Sequence, residues 1–222
     1  FPARREEAIE HQAKRAIEHA LATHPGDVLV FLPGQREIAK VEALLHGLSP
    51  PPAKAGGGWE GVAPAPGKST PPQPSPAFAR EGVEVLPLHG ELPIEQQTRV
   101  LQPSTDGRRR VVLATNVAES SVTLPGVRVV IDSGLAREPR FDPNSGFARL
   151  DVVSISQASA DQRAGRAGRV AEGWAYRLWP QSQRLEPQRR PEIAQVELAS
   201  LALELAAWGS DALRFVDAPP TG

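Results

Sequence analysis

Short apolar runs alternate with amphipathic segments along the chain, and this alternation limits the possible folds most strongly. The run "VLVFL" at 28–32 is apolar throughout, which is typical of a strand buried on both faces. Further strands are predicted at 83–90, 108–115, 127–134 and 173–179. Helices are predicted before, between and after the strands, at 3–23, 36–48, 92–102, 159–169 and 192–209. Such alternation predicts βαβ units and a mainly parallel sheet with helices on both faces.

Two segments interrupt this order. Nine of the 23 prolines fall between Pro50 and Pro76, and proline removes the backbone donor that helices and sheets need. Residues 49–82 are therefore predicted to be a disordered surface insertion. The segment "REPRFDPNSGFARLDVV" at 137–153 is predicted to be a β-hairpin that turns at 143–146. The expected fold is α/β with three layers, a β-hairpin insertion and a C-terminal helical extension.

The insertion contains a stretch that imitates a phosphate-binding loop. "GVAPAPGKST" at 61–70 ends like the Walker A pattern, but five residues separate Gly61 from Gly67 where the pattern has four. Its proline-rich flanks also disagree with the strand and the helix that such a loop joins. A surface insertion is the favoured interpretation, and a phosphotransferase built around Lys68 is the alternative.

Composition excludes several classes of site. The net charge is −1, so a nucleic-acid surface can only be local. The absence of cysteine excludes disulfides and thiolate metal sites, and the five histidines lack the spacing of metal ligands. The sequence shows no signal peptide and no membrane span, so a cytoplasmic location without membrane contact is expected.

Polar loops are expected at the carboxyl ends of three strands, with the sequences "PGQ" (33–35), "HG" (89–90) and "ATNVAESSVT" (114–123). In a parallel sheet these ends meet at one edge, where ligands bind. Small polar side chains and free N–H groups in the third loop suit the backbone of a nucleic acid. The alternative for that loop is an ordinary polar connection.

The stretch "QRAGRAGR" (162–169) is the most informative one. On a helix, Gln162, Arg166 and Arg169 lie on one face, and Gly165 and Gly168 leave space beside them. Two guanidinium groups and one amide on a face suit a phosphate chain. An arginine in that position can stabilise the charge that develops during phosphoryl transfer. The alternative is a solvated basic helix.

Five stretches occur in a characteristic order: "DVLVFLPGQREI", "VLPLHGELPIEQQTRVL", "VVLATNVAESSVTLPGV", "RFDPNSGFARL" and "SQASADQRAGRAGR". They resemble motif IV, the segment after it, motif V, the hairpin and motif VI of the second RecA-like lobe of DEAH-box helicases. The stretch "LALELAAWG" is most similar to the bacterial HrpB-type branch. The resemblance implies a RecA-like lobe made of 1–48 and 83–190, followed by the start of a winged-helix connector at 191–222.

The resemblance also implies the function of half an ATP-dependent RNA helicase. ATP would bind between this lobe and a first lobe that carries the P-loop, the DEAH motif and most ligands of Mg²⁺. This chain is therefore not expected to hydrolyse ATP alone. The residues expected at the nucleotide are Gln162, Arg166, Arg169, Ser121 and Leu135, with Arg169 as the arginine finger. Many members have an aromatic residue at the position of Leu135. Many also have an acidic residue near the position of Pro125. Because this chain lacks both, loose nucleotide selectivity is expected.

The implied partners are single-stranded RNA or DNA, and the first RecA-like lobe and winged-helix domain of the same full-length protein. The residues expected to contact the strand are Gly34, Gln35, Thr115 and Asn116. Ser121 would link the state of the nucleotide to the grip on the strand, and the hairpin 137–153 would act as a wedge near a duplex junction. A non-catalytic nucleic-acid-binding module is the alternative function.

Overall fold

The computed structural model describes residues 7–45, 82–104, 107–120, 122–142, 147–169, 171–196 and 198–209. They form the expected α/β architecture, with a five-stranded parallel sheet and a separate two-stranded antiparallel sheet. The predicted insertion lies outside the described residues except for Gly82, and the predicted hairpin turn at 143–146 also lies outside them.

The order of helices and strands follows the alternation of the sequence. The first half contains α1 (Ile9–Thr23), β1 (Asp27–Phe31), α2 (Gln35–Leu45), β2 (Glu84–Leu88), α3 (Ile94–Leu101) and β3 (Arg110–Ala114). The second half contains α4 (Val117–Ser120), β4 (Val127–Asp132), β5 (Leu135–Asp142), β6 (Phe147–Ser154), α5 (Gln157–Ala164), β7 (Trp174–Arg177) and α6 (Ala199–Trp208). A 3-10 helix at Glu192–Ala194 precedes α6.

The parallel sheet has the strand order β2-β3-β1-β4-β7. All five residues of β1 are buried, and four of them belong to the apolar run that predicts this burial. In its centre, Val30 pairs with Leu113 of β3 and with Ile131 of β4. Because β2, β3 and β1 are neighbours and run in the same direction, the three predicted polar loops leave the sheet side by side.

Two apolar cores cover the two faces of the sheet and create three layers. On one face, Ile17 of α1 and Val41 of α2 pack with alternate strand residues such as Val30. On the other face, Phe31 packs with Ala118 of α4. Full burial of an isoleucine, valine or phenylalanine side chain stabilises the fold by about 1.5–3 kcal/mol. The helices on both faces are therefore held mainly by apolar contacts with the sheet.

Two of the predicted helices are wrong in extent. The helix predicted at 159–169 ends at Ala164, because Gly165 and Gly168 lower the helix propensity of the next turn. The helix predicted at 192–209 is broken before α6. Its break has a specific cause, since the carbonyl of Gln195 accepts the N–H of Phe141 from β5 and is not available to the helix. The predicted glycine end is confirmed, because Gly209 has φ +71 directly after α6.

The hairpin is present as predicted. β5 and β6 pair antiparallel, with Arg140 opposite Arg149. Glu138 of β5 also forms a 2.8 Å ion pair with Arg189 from the stretch that leads to α6. Leu150 of β6 remains 65% exposed. Among the described residues, none of the helices combines the length and the apolar character that crossing a membrane requires.

Candidate functional site

The carboxyl edge of the sheet brings the three polar loops together. The N–H of Leu32 after β1 donates to the carbonyl of Ala114 in β3 over 2.8 Å, and the N–H of Thr115 donates to Leu88 of β2 over 3.2 Å. Gln35 then reaches across to His89, and its Nε2 donates to the ring Nδ1 over 3.1 Å. The expectation that these loops line one edge is therefore confirmed.

Gly34 of the first loop is buried, and its lack of a side chain has a visible cause. A Cβ atom built on Gly34 would lie 2.8 Å from Nε of Arg137, at the base of the hairpin. Arg137 also forms an ion pair with Glu37 of α2 at 3.6 Å. The loop of Gly34 and Gln35 is thus packed against the hairpin on one side and against His89 on the other.

Thr115 and Asn116 lie at the start of α4, the short helix after β3. Thr115 is half-buried and its carbonyl accepts the N–H of Ala118, whereas Asn116 is exposed. The carbonyl of Asn116 accepts the N–H of Glu119 over 2.9 Å. Four helical residues rise about 6 Å along the helix axis. Glu119 therefore lies only about that far from Thr115 along α4.

Arg166, in the turn after α5, contacts the other end of α4. The residue as a whole is only 6% exposed, and its Nε donates to the carbonyl of Glu119 over 2.9 Å. Its Nη1 donates to the carbonyl of Val122, and its Nη2 also donates to Glu119. Burial, and then the positive charge of Arg169, lowers the pKa of Arg166 below its ordinary value. Burial and Arg169 thus favour a negatively charged partner at this guanidinium, and Glu119 already supplies part of that charge.

The three predicted phosphate residues do not share a helix face. The turn after α5 closes with hydrogen bonds three residues apart, from the N–H groups of Arg166 and Ala167 to the carbonyls of Arg163 and Ala164. As a result, Gln162 and Arg169 are exposed while Arg166 points into the fold. Arg169 donates to the hydroxyl of Thr123 over 3.3 Å. The prediction of a shared face is wrong, because it required the helix to continue past Gly165.

The two other predicted nucleotide residues give less geometry. Ser121 lies outside the described residues, between α4 and Val122. Leu135 begins β5 and is half-buried, and its carbonyl accepts a 3.3 Å hydrogen bond from Nη1 of Arg163. Leu135 is therefore linked to the stretch 162–169 through its backbone.

Arg163 is a central residue that the sequence analysis did not assign. It is 1% exposed, and it donates to Oε2 of Glu119 over 2.9 Å and to Oδ1 of Asp132 over 2.8 Å. Its guanidinium carbon also lies 4.7 Å from the centre of the Phe31 ring. Arg163 thus joins α5 to α4 through Glu119 and to the end of β4 through Asp132. Its position between the small residues Ala160 and Ala167, at helical spacing, was the available signal for an inward-facing side chain.

Gly173 is a second residue that the sequence analysis missed. A Cβ atom at Gly173 would lie 2.1 Å from the carbonyl oxygen of Ala167 and 2.4 Å from its carbonyl carbon. Backbone atoms cannot yield cheaply, so the strand entry at Gly173 fixes the position of the turn that carries Arg166 and Arg169.

Replacing Gly173 by alanine is expected to lower the free energy of unfolding by about 1–3 kcal/mol, because overpacking forces the Ala167 turn to move. Gly168 provides a matched control in the same turn. A Cβ there would meet nothing within 4 Å, so Gly168→Ala should change the free energy of unfolding by less than about 0.5 kcal/mol. Urea unfolding of both variants measures the difference, and equal midpoints would contradict the proposed packing.

No metal centre is formed by the residues that the structure describes, since these contain no group of three histidine or carboxylate side chains able to hold an ion. The chemistry of this edge is instead that of cationic and amide donors. Such donors can bind anionic oxygens.

Comparisons with known proteins show which proteins this chain resembles. The family model "Helicase conserved C-terminal domain" matches residues 75–171. Over 205 residues the chain is 38% identical to the pre-mRNA-splicing factor ATP-dependent RNA helicase DEAH10 of Arabidopsis thaliana, covering 89% of this chain and 25% of that protein. Over 212 residues it is 37% identical to the ATP-dependent RNA helicase HrpB of Escherichia coli (strain K12), covering 92% of this chain and 22% of that protein.

A solved structure extends this likeness to three dimensions. The crystal structure of the Escherichia coli DEAH/RHA helicase HrpB matches with a TM-score of 0.79 at 32% identity, over 100% of this chain and 25% of that one. The chain therefore spans about a quarter of the length of these relatives.

Proposed function

Because the chain carries the conserved C-terminal domain of helicases and is homologous to DEAH-box RNA helicases, we propose that it is the arginine-bearing lobe of an ATP-dependent RNA helicase. In this proposal residues 1–48 and 83–190 form the RecA-like lobe, and 191–222 begin the connector to a winged-helix domain. All five strands of the parallel sheet fall within the proposed lobe, which supports this division.

The proposal is carried by two arginines of one turn. Their side chains are hydrogen-bonded to the segment that follows Thr115 and Asn116, the residues proposed to contact RNA. Arg166 is bonded to the carbonyls of Glu119 and Val122, and Arg169 is bonded to Thr123. Arg169 is exposed, so it is free to meet a phosphate brought by another lobe. Gly168 beside it leaves open space, which suits the close approach of such a group.

ATP is the substrate in this proposal, and its γ-phosphate would be met by Gln162, Arg166 and Arg169. Arginines at a transferring phosphoryl group stabilise its developing charge. The first lobe would supply the phosphate-binding loop and would hold Mg²⁺. Ser121 and Leu135 would line the nucleotide side of the cleft.

A single-stranded RNA would lie along the carboxyl edge, against Gly34, Gln35, Thr115 and Asn116. These residues offer two side-chain amides and a hydroxyl, which are groups that contact sugar and phosphate without reading bases. The net charge of −1 limits the electrostatic contribution of this chain. Binding of the strand would therefore also need the other domains.

Steady-state ATP hydrolysis tests the proposal. The 222-residue chain alone should show no turnover above buffer, whereas the full-length protein should hydrolyse ATP faster when single-stranded RNA is added. Lys68→Ala in the full-length protein is the control, and it should leave turnover unchanged. Turnover by the chain alone that disappears in Lys68→Ala would overturn the proposal in favour of a phosphate site in the insertion.

A further inference from the structure

Glu119 is hydrogen-bonded at once to both ends of the candidate site. Its N–H donates to the carbonyl of Asn116, and its carbonyl accepts from Arg166. Asn116 belongs to the proposed strand side, and Arg166 belongs to the proposed phosphate side. Two successive hydrogen bonds therefore connect the two sides through one residue.

The side chain of Glu119 is held independently of its backbone. Its Oε2 accepts from Nε of Arg163 over 2.9 Å, and its Oε1 accepts from the hydroxyl of Ser159. Both partners lie on α5, directly before the turn of Arg166. Arg163 is itself fixed by Asp132 at the end of β4. These bonds fasten the end of α4 to α5, so the two elements are expected to move as one body.

The guanidinium of Arg166 has five N–H donors, and three of them already bond to backbone carbonyls, so a turn of this side chain toward a phosphate disturbs those bonds. Its three guanidinium nitrogens all donate to the carbonyls of Glu119 and Val122. If it turns toward a phosphate, it either releases the carbonyl of Glu119 or pulls the end of α4 with it. In both cases the change reaches Asn116 through the hydrogen bond between Asn116 and Glu119.

We propose that Glu119 and Arg163 are positioning residues that couple phosphate binding at Arg166 and Arg169 to the grip on RNA at Thr115 and Asn116. The inference rests on the proposed function, because it assigns the phosphate and the strand to these two ends. It differs from an arginine-finger role, since neither Glu119 nor Arg163 touches the nucleotide. The buried ion pair between Glu119 and Arg163 keeps the segment of Arg166 and the segment of Asn116 in a fixed position relative to each other.

The ratio of two RNA affinities measures this coupling directly. The dissociation constant of a fluorescent single-stranded RNA is measured for the full-length protein without nucleotide and with a non-hydrolysable ATP analogue. Coupling between two sites usually changes affinity by about 5–150-fold, and the wild-type ratio is expected in that range. Glu119→Gln keeps the backbone carbonyl for Arg166 but removes the charge that holds Arg163. Its ratio should fall to within about twofold of one, because uncoupled sites bind independently.

Asp27 supplies the matched control. It forms a buried 2.8 Å ion pair with Arg110 where β1 and β3 begin, at the opposite edge of the sheet. Asp27→Asn removes the same charge from a comparable pair and should keep the wild-type ratio. Ser159→Ala removes only the hydroxyl bond to Glu119, and it should at least halve the ratio even if Glu119→Gln does not fold.

The outcomes separate the inference from the proposed function. A Glu119→Gln protein that folds and keeps the wild-type ratio overturns the coupling role and leaves the helicase lobe intact. If Glu119→Gln does not fold, a wild-type ratio in Ser159→Ala does the same. A wild-type protein that hydrolyses ATP but binds RNA equally in both states also overturns only the coupling. A full-length protein without any ATP hydrolysis overturns the proposed function, and the coupling with it.

Discussion

Replacing Arg169 by alanine is expected to lower the ATP turnover of the full-length protein by about a thousandfold, the smaller end of the effect of an arginine finger. Arg169 is exposed and makes a long hydrogen bond to Thr123, so its loss should leave the fold intact. The reason for the large effect is that a guanidinium stabilises charge that appears only in the transition state. The Michaelis constant for ATP should change much less than the turnover number.

The comparison that makes this result specific is Arg99→Ala. Arg99 lies on α3, its side chain is 72% exposed, and it forms a 2.5 Å ion pair with Glu84. Arg99→Ala removes one exposed arginine without touching the candidate site. Because surface ion pairs contribute little energy, this substitution should change ATP turnover by less than about twofold. If Arg169→Ala behaves like Arg99→Ala in steady-state assays, Arg169 is not the finger.

Replacing Arg163 by alanine is expected to lower the free energy of unfolding by about 3–5 kcal/mol, the usual effect of removing one partner from a buried ion pair. Two carboxylates, Glu119 and Asp132, would lose their cation, and the contact with Phe31 would become a cavity. Urea unfolding of the 222-residue chain measures this loss. Arg177→Ala, which breaks an exposed ion pair with Asp161, should cost less than about 1 kcal/mol. A similar midpoint for both variants would contradict the central role of Arg163.

The deficit of the Arg163 variant should depend on pH. Burial already raises the pKa of the Asp132 carboxyl above 3.8, while Arg163 and the N–H of Gly134 act in the opposite direction. Without Arg163 the pKa rises further, so the folded variant takes up a proton more readily than its unfolded chain. Its stability should therefore recover as the pH falls toward 3.8 and decline as the pH rises through the raised pKa. Adding Asp132→Asn should remove this part of the pH dependence.

The strands and the meeting of the loops followed from the sequence, because both depend on local patterns. Apolar runs such as 28–32 identify buried strands, and parallel strands bring their carboxyl ends to one edge. The resemblance to DEAH-box helicases is also confirmed, whereas the roles of Gln162, Arg166 and Arg169 remain predictions.

What the sequence could not predict depends on pairs of residues that are distant in the chain. Helical spacing placed Arg166 beside Gln162, but the turn after Gly165 directs Arg166 to the carbonyl of Glu119, 47 residues away. The same holds for Arg163 and Glu119, which are 44 residues apart. The break in the predicted C-terminal helix likewise arises from Phe141 of the hairpin. The direction of these side chains and the ends of these helices are set by tertiary contacts that outweigh local propensity.

The end of α2 and the start of β2 both lie at the edge of the sheet where the parallel strands begin. Leu45 and Gly82 therefore stand about 16 Å, the length of a five-residue strand, from the edge that carries Gln35 and Thr115. Both ends of the connection are thus kept apart from Gln35 and Thr115 by the length of the strands. A fluorescent reporter attached at Leu45 or Gly82 would therefore follow this lobe in single molecules while standing clear of the proposed ligand edge.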